Sequence, residues 1–110
     1  MSSHSFMDQL TRPEGSEFCN RIKLENGLSL SIQCHSFAYC NPRKGGLPLE
    51  DYTQLEVAVM DEEGNFVLEE DLGNLANVVG STDGDQVWSY MSKDNVQKLF
   101  DFMKKFERKV

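Results

Sequence analysis

Cys34, His35 and Cys40 come closest to a reactive constellation in this chain. A thiol becomes a nucleophile when an imidazole takes its proton and a third group orients that imidazole. Cys34 and His35 are neighbours, and on an extended strand their side chains point to opposite faces. Cys40 paired with His35 across a loop is the remaining combination, and no carboxylate is placed beside it by spacing. With Cys19 as a fourth ligand the same residues make a candidate zinc set, but no zinc-knuckle spacing is present. The hairpin register derived below also puts Cys19 on the face opposite Cys34. His4 is expected to be solvated. Paired acids occur at Asp61/Glu63, Glu69/Glu70/Asp71 and Asp83/Asp85, without the glycine and terminal glutamate of a calcium loop. Residues 80–85, Gly-Ser-Thr-Asp-Gly-Asp, are anionic and lack the lysine of a phosphate loop. These readings favour a protein that is not an enzyme and uses neither metal nor cofactor.

The segment from Tyr39 to Leu49 differs in kind. It joins an aromatic ring, Arg43 and Lys44 to two glycines and two prolines. Arg43 can meet a carboxylate or phosphate with two parallel hydrogen bonds while Tyr39 offers a stacking surface. Tyr39, Arg43 and Lys44 are therefore candidate contacts for a small, nucleotide-type ligand. The plainer expectation is a stiffened crossover whose arginine neutralises nearby acids.

Charge is the strongest feature of the chain. Lys and Arg number 11 against 18 Asp and Glu, a net charge of −7. No Lys or Arg occurs from Gly45 through Ser92. Eleven carboxylates lie in that stretch: Glu50, Asp51, Glu56, Asp61, Glu62, Glu63, Glu69, Glu70, Asp71, Asp83 and Asp85. From Lys93 onward six basic residues face three acidic ones. The acidic middle argues against direct nucleic-acid binding, which needs cations on phosphates. It would instead attract a basic protein surface, and a dense enough array could imitate nucleic-acid phosphates. Apart from Glu56, all of these carboxylates are candidate partner contacts, to be set against the plain reading that they keep the protein soluble.

At 110 residues, 39% apolar and 10% aromatic, the chain has the size and composition of one packed domain. No apolar run approaches the ~20 residues of a membrane span, and the N-terminus lacks a secretory pattern. Three cysteines with no CxxC pair are expected to be reduced, and the location to be cytoplasmic.

The elements that position these residues follow from periodicity. Residues 1–17 read as a flexible leader with a turn of helix near Phe6–Leu10, and 18–110 as the domain. Phe18–Leu24 and Leu28–Cys34 flank Glu25-Asn26-Gly27. A three-residue loop with Gly27 left-handed opposes Leu24 to Leu28, Ile22 to Leu30 and Phe18 to Cys34, keeping one face apolar. Tyr52–Met60 alternates as a third strand. Residues 61–64 turn it back into a fourth, Asn65–Leu68, with Val59 opposite Phe66 and Val57 opposite Leu68. A turn or two of helix is expected around Leu72, Leu75 and Val78 or Val79, and a fifth strand over Gln86–Met91. Ser92 caps a final helix with Val96, Leu99, Phe100, Met103 and Phe106 on one stripe. The expected fold is α+β, an antiparallel sheet of four to five strands (two hairpins plus a strand) backed by one C-terminal helix.

Ser31-Ile32-Gln33-Cys34 running into Tyr39-Cys40-Asn41-Pro42-Arg43 resembles short phage and prophage proteins in which a strand "S-V-Q-A-S" leads to "Y-C-S-P-R". The likeness continues through Tyr52–Val57 and Asp85–Met91 and covers much of residues 22–106. Cys34 stands where a small residue is usual, and the acidic middle and the leader are longer. The resemblance implies a mobile-element setting and no particular chemistry. It raises the expectation of an accessory protein that binds and inhibits a basic host or defence protein. A virion or assembly component, with homo-oligomers, is the further alternative.

Overall fold

The computed structural model describes residues 5–82 and 86–107. Four strands form one antiparallel meander in the order β1-β2-β3-β4: β1 Ile22–Lys23, β2 Ser29–Gln33, β3 Gln54–Met60 and β4 Trp88–Ser92. A short helix α1, Leu75–Val79, precedes β4, and α2, Lys93–Lys105, follows it directly. Single 3-10 turns occur at Phe6–Asp8, Leu49–Asp51 and Glu69–Asp71. The expected α+β architecture, an antiparallel sheet with one C-terminal helix, is present with four strands.

The first hairpin keeps the expected register at its closed end. Ile22 pairs with Leu30, the Leu24 amide donates to the Leu28 carbonyl at 2.8 Å, and Gly27 has φ 90°. That conformation is open to glycine at little cost. Away from the turn the ladder stops early. The side-chain amide of Gln33 takes the backbone of Cys19 on both sides, accepting its N–H at 2.9 Å and donating to its carbonyl at 3.2 Å. With the ladder broken, strand alternation no longer governs residue 19. Cys19 is buried in the same core cluster as Cys34, not on the opposite face, and Phe18 is left 60% exposed.

Leu30 faces Val59 and Ile32 faces Val57 across β2 and β3, all four fully buried. Val96, Leu99, Phe100 and Met103 of α2 pack into the same cluster. Burying an apolar side chain of this size contributes roughly 1.5–3 kcal/mol. Ser92 caps α2, its Oγ accepting the Asn95 amide at 3.2 Å, and Lys104 and Lys105 sit in the last turn, where the helix dipole favours cations. The other face of β2 carries Ser29, Ser31 and Gln33.

Two expectations are corrected. Residues 65–68 do not form a strand. They touch β3 through one bridge, Met60 to Phe66, with the Val67 amide donating to the Val59 carbonyl at 2.9 Å. The register is thus one residue off the expected one. Val67 packs on the core, while Phe66 and Leu68 are 49% and 40% exposed. The reason is competition for β3: β2 holds one edge and β4, paired at Leu55–Met91 and Val57–Trp88, holds the other. The expected flexible leader is also not a bystander. Phe6 and Leu10 are buried in the core, and the Phe6 amide donates to Gln97 Oε1 on α2 at 2.9 Å.

Between Leu55 and Val57 the β3–β4 register shifts, leaving Ser89 and Tyr90 of β4 against Glu56 alone. Tyr90 takes φ 51° there, in the left-handed region that a bulky side chain rarely enters.

Candidate functional site

The reactive thiols resolve first. Cys40 Sγ lies 3.3 Å from the His35 carbonyl and 3.5 Å from that of Pro42, so the thiol donates to backbone rather than to an imidazole. His35 Nδ1 accepts the Phe37 amide at 3.1 Å. Burial pushes the Cys40 thiol pKa up, which keeps it protonated. Cys19 and Cys34 act on each other inside the core. Their interaction lowers the Cys19 pKa, with Arg12 adding to the effect, and it raises that of Cys34 together with burial. Arg12 donates from Nη2 to the Leu47 carbonyl at 2.6 Å, while its Nη1 is buried without a hydrogen-bond partner. No group of three or more His, Cys, Asp or Glu suited to a metal ion occurs among the described residues. His4 lies outside them.

At the 39–49 loop two of the candidate ligand residues, Tyr39 and Arg43, are already engaged with each other. The Arg43 guanidinium sits 5.2 Å from the Tyr39 ring centroid and donates to the Phe37 carbonyl at 3.5 Å. Tyr52, fully buried, donates its hydroxyl to the Lys44 carbonyl and accepts the Leu47 amide at 3.4 Å. The loop is pinned from within by a tyrosine of the core, and Lys44 itself is exposed.

Around this loop the sequence reading missed an aromatic surface. Phe37 is 78% exposed and Phe18 60%. His35 lies between them, with ring centroids 4.8 Å from Phe18 and 6.4 Å from Phe37. Tyr39 and Tyr90, also exposed, stand 6.1 Å apart, and the Arg43 bond to Phe37 joins the two clusters. Exposed aromatic rings beside an arginine are the residue types that anchor protein–protein contacts. The signal available in the sequence was Phe37 itself, alone between Ser36 and Ala38 and outside any apolar period.

The acidic residues divide by role. Asp61 is a loop former, its Oδ1 accepting the amides of Glu63 and Asn65 at 2.9 Å each. Glu69 is structural too. Its Oε1 accepts from the Thr82 amide at 2.6 Å and hydroxyl at 3.0 Å, and these bonds lower its pKa. Glu50 and Asp51 occupy a separate 3-10 turn beside Lys93, whose Nζ donates to the Glu50 carbonyl at 2.7 Å. Glu62, Glu63, Glu70 and Asp71 are exposed. Among the described residues the cation–carboxylate pair at 3.5 Å is Lys104 with Asp101, and none forms with Glu50, Asp51, Asp61, Glu63, Glu69, Glu70 or Asp71. Asp83 and Asp85 lie outside the described residues.

Three of these acids meet at one place. Asp61, Glu70 and Asp71, joined by Glu107 after α2, rim a groove of about 610 Å³ whose walls include Phe66, Leu68 and Phe106. Phe106 is held by its stack on Phe102, with centroids 6.0 Å apart. Gly73, at φ 64°, passes so close that a Cβ there would stand 3.4 Å from the Phe106 ring. No lysine or arginine is among the described residues that line the groove. Arg21 comes near only at the preceding turn, with Nη1 3.9 Å from where a Gly64 Cβ would be.

Comparison with protein-family models, with curated proteins and with solved structures finds no match to this chain. The site is therefore read from its own geometry. No helix among the described residues is long and apolar enough to cross a membrane.

Proposed function

We propose that this is a non-enzymatic, phage-type accessory protein that binds and inhibits a basic host or defence protein in the cytoplasm of the host cell, without contacting nucleic acid itself. The observation that carries the reading is that Asp61, Glu63, Glu69, Glu70 and Asp71 form no ion pair with a cation among the described residues. Exposed like charge without neighbouring cations speeds and orients association with an oppositely charged surface. The exposed rings of Phe18, Phe37, Tyr39 and Tyr90 support the same reading, since a short-lived electrostatic encounter needs an apolar contact to become a complex. If a partner replaces nucleic acid on this surface, the acids act as a phosphate mimic.

The test is capture of host proteins on the immobilised chain at rising salt, with identification by mass spectrometry. A single basic protein retained at ~50 mM salt and released by ~300 mM is expected, because exposed charges are screened over a shrinking Debye length. Charge reversal at Glu63, Glu70 and Asp71 should abolish its retention. Retention indifferent to both salt and charge reversal would remove the electrostatic reading.

A further inference from the structure

We propose that the groove rimmed by Asp61, Glu70, Asp71 and Glu107 is where the partner is gripped, and that its occupant is a short segment carrying an apolar side chain between lysines or arginines. The inference rests on the function proposed above and adds to it a place and a shape.

Charge and form both limit the occupant. The described lining of the groove has four carboxylates and no cation, so an anionic ligand would be repelled by those groups. A second copy of this chain, with net charge −7, would bring the same carboxylates face to face. A bare metal ion is disfavoured because no group of three or more His, Cys, Asp or Glu suited to hold one occurs among the described residues. What remains is a basic segment. A purely polar one would leave the walls unused: Phe66 and Leu68 are 49% and 40% exposed, although Val67 between them packs on the core. The volume lies in the ~300–1,000 Å³ range of clefts that enclose most of a small ligand, ample for one or two side chains of a docked segment.

The walls are also fixed rather than collapsible. Phe106 is braced by Phe102, and Asn26 donates from Nδ2 to the carbonyls of Met103 and Phe106 at 3.1 and 3.0 Å, tying the end of α2 to the β1–β2 turn. The Asp61 carboxylate is held by the backbone amides of Glu63 and Asn65, which donate to its Oδ1. A preformed groove lowers the ordering cost of binding.

The experiment is fluorescence anisotropy at low salt with two labelled peptides, Lys-Lys-Leu-Phe-Lys-Lys and hexalysine, on the full chain. The anchored peptide should bind at least about fivefold more tightly than hexalysine. Phe66→Ser with Leu68→Ser, both at exposed positions, should erase that preference while leaving hexalysine binding unchanged. Glu70→Lys with Asp71→Lys should weaken both peptides by about tenfold or more, and Glu50→Lys with Asp51→Lys should weaken neither. Circular dichroism melts confirm that each variant is folded. Equal loss from the Glu50/Asp51 pair, or a preference that survives Phe66→Ser with Leu68→Ser, overturns the groove while leaving the basic partner standing. Binding that appears only after removal of residues 108–110 would assign the groove to this chain's own tail, and a dimer lost in the Phe66/Leu68 variant would assign it to a second copy; either overturns the proposal. A lysate partner that ignores salt and charge reversal removes the broader function, whatever the peptides do.

Discussion

The backbone amide of Tyr90 donates to the carbonyl of Tyr39 at 2.9 Å, and the two rings lie 6.1 Å apart. One hydrogen bond thus fastens the 39–49 loop to the bulged strand β4, and the bulge holds Tyr90 at φ 51° to make it. Left-handed backbone costs a branched side chain most and glycine least. Tyr90→Val should lower stability by about 1–2 kcal/mol, and Tyr90→Gly should fall well short of that loss. Urea denaturation of the two variants checks the order.

The helix cap makes a second test. Ser92→Ala removes the acceptor for the Asn95 amide and should cost about 1 kcal/mol, whereas Ser92→Asp should restore most of it. Phe100→Ala, by contrast, empties a fully buried site and should cost about 3–5 kcal/mol, enough to unfold a marginal domain.

How far these elements could be read from the chain depended on whether a pattern had one solution. Ile22–Leu30 and the Ser92 cap were legible because a single register kept charge out of the apolar face, and a single hydroxyl preceded the helical stripe. Phe66-Val67-Leu68 is apolar at every position, so alternation cannot choose its inward face. The choice is made by β4 taking the edge of β3. Cys19 was misplaced because Gln33 ends the ladder with a side chain, which no periodicity announces. The groove was illegible for a further reason: Asp61, Glu70 and Glu107 are distant in sequence and meet only when the 61–73 segment folds beside the end of α2.

Thiol chemistry should separate the three cysteines. Timed alkylation of the native protein, read by peptide mass spectrometry, should modify Cys19 first and leave Cys34 and Cys40 until unfolding. Arg12→Gln should slow Cys19, since the guanidinium favours its thiolate.

Glu69 predicts a pH effect. Its folded pKa is lowered by the Thr82 bonds, below the value of about 4.3 for a free glutamate. A lowered carboxylate adds stability above the unfolded pKa, and that contribution disappears as pH falls through the folded pKa. Urea midpoints should therefore favour the parent over Glu69→Gln at pH 7, and the gap should narrow from pH 4 downward.

At the 39–49 loop, Arg43→Ala should cost about 0.5–1 kcal/mol through loss of the contact with Tyr39. Because the guanidinium is already engaged, scanning fluorimetry with a nucleotide panel should give equal melting temperatures with and without ligand. A concentration-dependent rise that vanishes in Arg43→Ala would revive the small-ligand reading.

The Gln33 clamp on Cys19 reaches beyond the hairpin. A sheet normally ends in a row of open amides and carbonyls that invites another chain to add on. Here the Gln33 carboxamide takes the place of a ladder rung where β1 has not yet begun, and the Tyr39 carbonyl takes the one amide of Tyr90 in the bulge of β4. At these two positions an added strand would find the backbone groups of Cys19 and the amide of Tyr90 already taken.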